Sequence, residues 1–148
     1  MLLFLQKKKF LLHLIKLAVG VRDVAHLEVL QLERNGRDPP LRHRTRNVPK
    51  RAAEVLDGGS IYWVIGGAVL VRQLILDIVP EIWADGSKGC ALVFDPVLVR
   101  VAGGAKKAFQ GWRYLPPAEA PPDLVASAAG ADDLPEEMRR ALTALGLL

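Results

Sequence analysis

Two adjacent glycines, Gly66-Gly67, constrain this chain more than any other feature. They separate two β-rich runs, Ser60 to Ile65 and Ala68 to Val79. Glycine reaches positive φ at no steric cost, and two-residue hairpin turns demand that conformation. The pair therefore predicts a β-hairpin with a long second strand. Further strands fit around it. Residues 11–19 alternate apolar and polar positions, with His13 between Leu12 and Leu14. Cys90 to Phe94 and Val97 to Val101 are two more, divided at Asp95-Pro96, and Phe109 to Leu115 supplies an aromatic-rich last strand. Pro80 and the Asp85–Gly89 cluster read as turns.

Helical signals fill the gaps. Asp23 suits an N-cap ahead of Val24, Leu27 and Leu30 at helical spacing, with Glu28, Gln31 and Arg34 turned outward and Asn35-Gly36 closing the helix. Residues 37–48 lack periodicity, and Pro39-Pro40 marks them as a loop or an edge segment. Pro49 fits the first turn of a short helix with Ala52, Val55 and Leu56 buried, ended by Asp57-Gly58-Gly59. From Pro116 prolines and alanines dominate. Asp133 and Glu136 then match a capping box before Met138, Leu142 and Leu145. The expected organisation is an N-terminal appendage (1–11), a globular domain (12–115), a tether (116–132) and a C-terminal helix (133–146).

At 148 residues and 51% hydrophobic content, one folded domain is expected. The fold class is α+β: a mixed, curved sheet or partly closed barrel with flanking helices. One cysteine, Cys90, forbids an intrachain disulfide. The apolar start is broken by Lys7 to Lys9 and Lys16, which fits neither an export signal nor a membrane span. A cytoplasmic protein with no membrane partner is the expectation.

The net charge of +4 conceals a division. Residues 1–118 carry 18 Lys and Arg against 10 acids, and residues 119–148 carry 2 against 6, so a basic domain precedes an acidic tail. Residues 37–51 hold six basic side chains and one acid, Asp38, with His43 in addition. Lys50 and Arg51 fall in the first turn of the short helix, where positive charge opposes the helix dipole unless an anion lies alongside. Arg42, Arg44, Arg46, Lys50 and Arg51 are therefore candidate phosphate contacts, against the alternative of a solvated arginine loop. Trp112 and Arg113 are candidates for stacking on bases. Trp63 sits in so apolar a strand that core packing suits it better. Of Arg72 and Gln73, one must face inward; Arg72 makes either a structural ion pair or part of a ligand site.

Catalytic motifs are sparse. His13, His26 and His43 fall on different elements, and no H-E-x-x-H, C-x-x-C or G-x-S-x-G occurs. No metal or cofactor is expected, and Gly86-Ser87-Lys88-Gly89 lacks phosphate-loop spacing. His43 is the weak candidate for a catalytic base.

Five blocks together carry a family resemblance: Leu12 to Gly20, Arg42 to Arg51, Gly58 to Ile65, Arg72-Gln73, and Ala108 to Leu115. They resemble an uncharacterised alphaproteobacterial family, domain of unknown function 1489, over residues 12–124. The resemblance implies a cytoplasmic bacterial protein and brings no catalytic residues; residues 1–11 depart from the family pattern. At the level of fold the order of elements is also similar to PUA-like domains, with their ASCH and EVE relatives, many of which bind RNA or modified bases. The resulting expectation is a non-catalytic RNA or nucleotide binding module. The alternatives are a small metal-independent hydrolase or nuclease acting on RNA or nucleotides, and a homodimeric assembly protein.

Overall fold

The computed structural model describes residues 11–124 together with Gly146. In chain order the elements are β1 (His13–Leu17), α1 (Val24–Arg37), β2 (Arg42–Thr45), α2 (Ala52–Val55), β3 (Ser60–Ile65), β4 (Ala68–Ile82), β5 (Lys88–Phe94), β6 (Val99–Arg100) and β7 (Trp112–Leu115). A 3-10 turn follows at Pro117–Glu119. All seven strands form one sheet of order β2-β5-β4-β3-β1-β7, with β6 on β4 off that path. β1 and β3 pair in parallel; the other pairs are antiparallel. This is an α+β domain with a mixed sheet that strand pairing does not close, and two helices.

The expected hairpin is present. Gly66 and Gly67 have φ of 60° and 83°, and Ile65 faces Ala68 across the turn. All six residues of β3 are buried, because both faces of the sheet are covered where β1 and β3 pair. On one face Leu14, Ile61, Trp63, Val71 and Leu92 join Val24 and Leu27 of α1. On the other, Ile15, Tyr62, Val64, Val69, Phe109 and Leu115 form a second core. Gly59 sits where β1, α2 and β3 converge; a Cβ there would overlap the carbonyl oxygens of Leu12 and Val55.

β4 runs through Pro80 to Ile82, so that proline lies within the strand rather than in a turn. Its first half pairs with β3 and its second half with β5, and the β5 register shifts between Ile75 and Asp77. One long bent strand thereby serves both halves of the sheet. The sheet also curls. The chain leaving β2 crosses to the opposite edge, where the Asn47 carbonyl accepts the Trp112 indole N–H at 2.8 Å and the Arg51 amide donates to the Tyr114 hydroxyl at 3.0 Å.

α1 begins as its sequence predicts: the Asp23 carboxylate accepts the His26 amide at 2.7 Å. Gln31 differs. Expected on the outer face, it is buried and pairs with the equally buried Gln73 of β4. The second core's face also holds more chain than expected. Residues 116–124 lie on it through an isolated bridge between Val101 and Asp123 and a 2.8 Å bond from the Leu124 amide to the Arg100 carbonyl. The segment expected as a tether is thus packed as far as Leu124. Residues 1–10, the remainder of that segment and the C-terminal helix expected at 133–146 lie outside the described residues, Gly146 apart.

Candidate basic cleft

α1 ends with Arg34 and Arg37 in its last turn, where cations complement the negative end of the helix. Asp38, Pro39 and Pro40 then reverse the chain into β2, the strand at one end of the sheet. The helix end, the reversal and β2 enclose a cleft of about 500 Å³ lined by Arg34, Arg37, Asp38, Arg42, His43 and Arg44, with Pro40 and Leu41. Four arginines face one aspartate.

The arginines differ in what holds them. Arg42 braces the reversal, donating to the Pro40 carbonyl at 2.9 Å, the Asp38 carbonyl at 3.1 Å and the Asp38 carboxylate at 2.8 Å. Arg37 meets Glu33 at 3.0 Å and Arg44 meets Glu81 at 3.1 Å, both in exposed pairs. Exposed pairs of this kind contribute about 0–1 kcal/mol, so a phosphate can replace the carboxylate at little cost. Arg34 has no ion pair among the described residues.

Behind this cleft, sharing Arg34, Leu41, Arg42 and His43 with it, is an inner pocket of about 220 Å³. Its walls mix polar and apolar side chains, and the buried Trp63 and Phe94, in edge contact at 5.9 Å, are part of its lining. Lys16, projecting from β1 beside Trp63 in the register, also lines it. The Lys16 ammonium has one hydrogen bond, a 3.5 Å contact to the Leu17 carbonyl, and no carboxylate partner among the described residues. Burial lowers its pKa. The His43 ring meets Trp63 edge-on at 6.0 Å. Burial, followed by the charges of Lys16 and Arg34, pushes its pKa down to about 4.

The expected site residues do not all converge. Arg42, His43 and Arg44 are together. Arg46 instead lies over the Trp83 indole at 5.2 Å. Lys50 is exposed. α2 has four residues, and Glu54 in its first turn already holds Arg51 at 2.6 and 2.8 Å, so that entrance has no unmet positive charge from Arg51. Arg72 is a structural ion pair: it grips Asp123 with two bonds of 2.7 Å and donates to the Ser60 hydroxyl at 3.0 Å. Trp112 and Arg113 are neighbours on β7 and so point to opposite faces. Trp112 stacks edge-on with Tyr114 at 4.9 Å, while Arg113 lies over Phe109 at 4.5 Å. They do not form one stacking rim.

Sequence reasoning passed over Arg34, Arg37 and Lys16 as site residues. The signal available was the three-residue spacing of Arg34 and Arg37 immediately before the basic segment, and a single lysine interrupting an apolar strand.

Among the described residues no group of three His, Cys, Asp or Glu side chains is placed to hold a metal ion. An imidazole with a pKa of about 4 is a weak base near neutrality. Burial, and then the charge of Glu81, push the Cys90 thiol up, away from the thiolate form.

Fold and cleft together define a small single-domain α+β protein with a cationic cleft at the sheet's β2 end. The chain belongs to the family described as "Protein of unknown function (DUF1489)", which matches residues 14–148. No curated protein and no solved structure matches it. Among the described residues no helix is long and apolar enough to cross a membrane.

Proposed function

We propose that this protein is a non-catalytic RNA or nucleotide binding module, and that the cleft between the end of α1 and β2 is where the polyanion lies. The observation that carries this reading is four arginines and His43 lining one cleft against a single aspartate. Arginine forks match phosphate oxygens in bidentate fashion. The exposed pairs of Arg37 and Arg44 open at little cost, and Arg34 has no carboxylate partner among the described residues to give up. The likeness of element order to PUA-like domains accords with this reading but does not carry it. A cytoplasmic location belongs to the same proposal.

Fluorescence anisotropy with a short single-stranded RNA, repeated across salt concentrations, tests it. Binding is expected to weaken linearly in log–log form, by about 0.7 per phosphate contacted. An Arg34→Ala/Arg37→Ala variant is expected to bind at least about tenfold more weakly, since each charge-assisted contact contributes about 1 kcal/mol or more. Absence of binding at low salt, or unchanged affinity in that variant, overturns the reading.

A further inference from the structure

The inner pocket differs from the cleft in shape and in charge, and the difference has chemical content. A polynucleotide passing along the cleft presents phosphodiesters, each with one negative charge. The pocket is small, about 220 Å³, and backed by the buried Trp63 and Phe94. The pocket is smaller and more enclosed than the cleft, so a chain end or a small anion fits it better than a continuing strand does. Lys16, Arg34 and Arg42 line the recess, and the only one of them with a carboxylate partner among the described residues is Arg42. Lys16 and Arg34, held near one another with no acidic partner among the described residues, form an unmet positive field.

We propose that this pocket binds a phosphomonoester, the doubly charged phosphate at the end of a nucleotide or nucleic-acid chain, with Lys16 as the group that selects it. This rests on the reading of the cleft as a polyanion site. Two features favour the monoester over a diester. Its second charge matches the additional cation, Lys16, which lines the pocket but not the cleft. Its free oxygens let it enter end-on while the attached chain runs out past His43 and Arg42 into the cleft. Where Trp63 and Phe94 form the wall, the local dielectric is lower and a charge contact beside them is stronger. The low pKa of His43, set first by burial, is lowered further by the charges of Lys16 and Arg34.

The test uses the full chain and a set of labelled 12-nucleotide RNAs of one sequence, carrying a 5′-phosphate, a 3′-phosphate, or hydroxyls at both ends. A nucleoside monophosphate and inorganic phosphate are added as competitors. One phosphorylated end is expected to bind about tenfold more tightly than the hydroxyl form, the scale of one added charge-assisted contact. Lys16→Gln is expected to remove that preference and keep the salt-dependent binding of the hydroxyl RNA; Lys16→Arg is expected to retain part of it. Competition by the free monophosphate alone assigns the site to nucleotides, and end preference in RNA assigns it to chain ends; either supports the pocket. Equal binding of all three RNAs with no competition by either phosphate overturns the inference while leaving the cleft intact. An end preference that survives in a folded Lys16→Gln protein also overturns it. Failure of every RNA to bind removes the cleft reading as well. Comparison of the RNAs on the unaltered chain needs no variant, so misfolding of Lys16→Gln does not shelter the proposal.

Discussion

Gln31 of α1 and Gln73 of β4 hold each other through two hydrogen bonds, 2.9 and 2.7 Å long, between the long helix and the sheet. Gln73 does more than its partner. Its carbonyl also accepts the Trp63 indole N–H at 3.1 Å, and its amide also donates to the Asp95 carbonyl at 3.0 Å. Buried polar groups left without partners cost about 1–3 kcal/mol each. Gln73→Leu strands three groups and is expected to destabilise the fold by about 3 kcal/mol or more, whereas Gln31→Leu strands fewer and costs about 1–2 kcal/mol. Urea denaturation of the two variants checks the order. The double variant is expected to cost less than the sum, since the residues share one network. A Gln31 variant as damaging as the Gln73 variant contradicts this picture.

His43 makes stability depend on pH. Its pKa of about 4 in the folded protein lies below its ordinary 6.5. Between those values the unfolded chain takes up the extra proton, so stability is full above about 6.5 and falls as the pH drops toward 4. His13 is shifted in the same direction, first by burial and then by Arg72, so the His43 share is isolated by substitution. Chemical denaturation of His43→Leu at a series of pH values is expected to show a shallower loss than the unaltered protein. Identical slopes count against the buried neutral imidazole.

Arg72 and Asp123 fasten residues 116–124 to the second core. The Arg72 guanidinium holds the Asp123 carboxyl below its ordinary 3.8. The stability this adds is present above that value and is lost as the pH falls below it. Asp123→Asn is expected to lower stability by about 1 kcal/mol or more at neutral pH, through loss of charge-assisted bonds. It is also expected to speed proteolytic cleavage between Pro116 and Leu124. Limited proteolysis followed by mass spectrometry reads this directly, and an unchanged cleavage rate argues that the pair does not hold the segment.

The cleft and the outlying arginine make a paired prediction. Arg34→Ala is expected to lower the salt slope of RNA binding by about 0.7, one phosphate contact fewer. Arg46→Ala, whose guanidinium lies over Trp83 rather than in the cleft, is expected to leave the slope nearly unchanged. Parallel salt titrations distinguish the two, and equal changes refute the placement of the cleft.

Local chemistry explains which features could be read from the chain. The glycine-bounded hairpin, the Asp23 cap and the apolar β3 were legible because turn geometry, capping and burial act over a few residues. The convergence of Arg34 and Lys16 on His43 was not, since β1, α1 and β2 meet only after the sheet curls. Gln31 looked like a solvent-facing helix residue because its partner is 42 residues away. Trp112 and Arg113 looked like one surface, yet the pleat sends them to opposite faces. The Lys50–Arg51 entrance looked exposed to an anion because a sequence cannot show that Glu54 folds back on Arg51.

β1 is the earliest of the described strands to be synthesised and among the last to be fully paired. Its parallel partner β3 begins at Ser60, and its other neighbour β7 sets Leu115 against His13. On a ribosome adding about 5–20 residues per second, the strand waits several seconds or more for that second neighbour. Throughout the wait it exposes an unpaired backbone edge of the kind that recruits foreign strands. The same pairing that covers β1 on both edges therefore makes its fate during translation depend on how quickly the far end of the domain arrives.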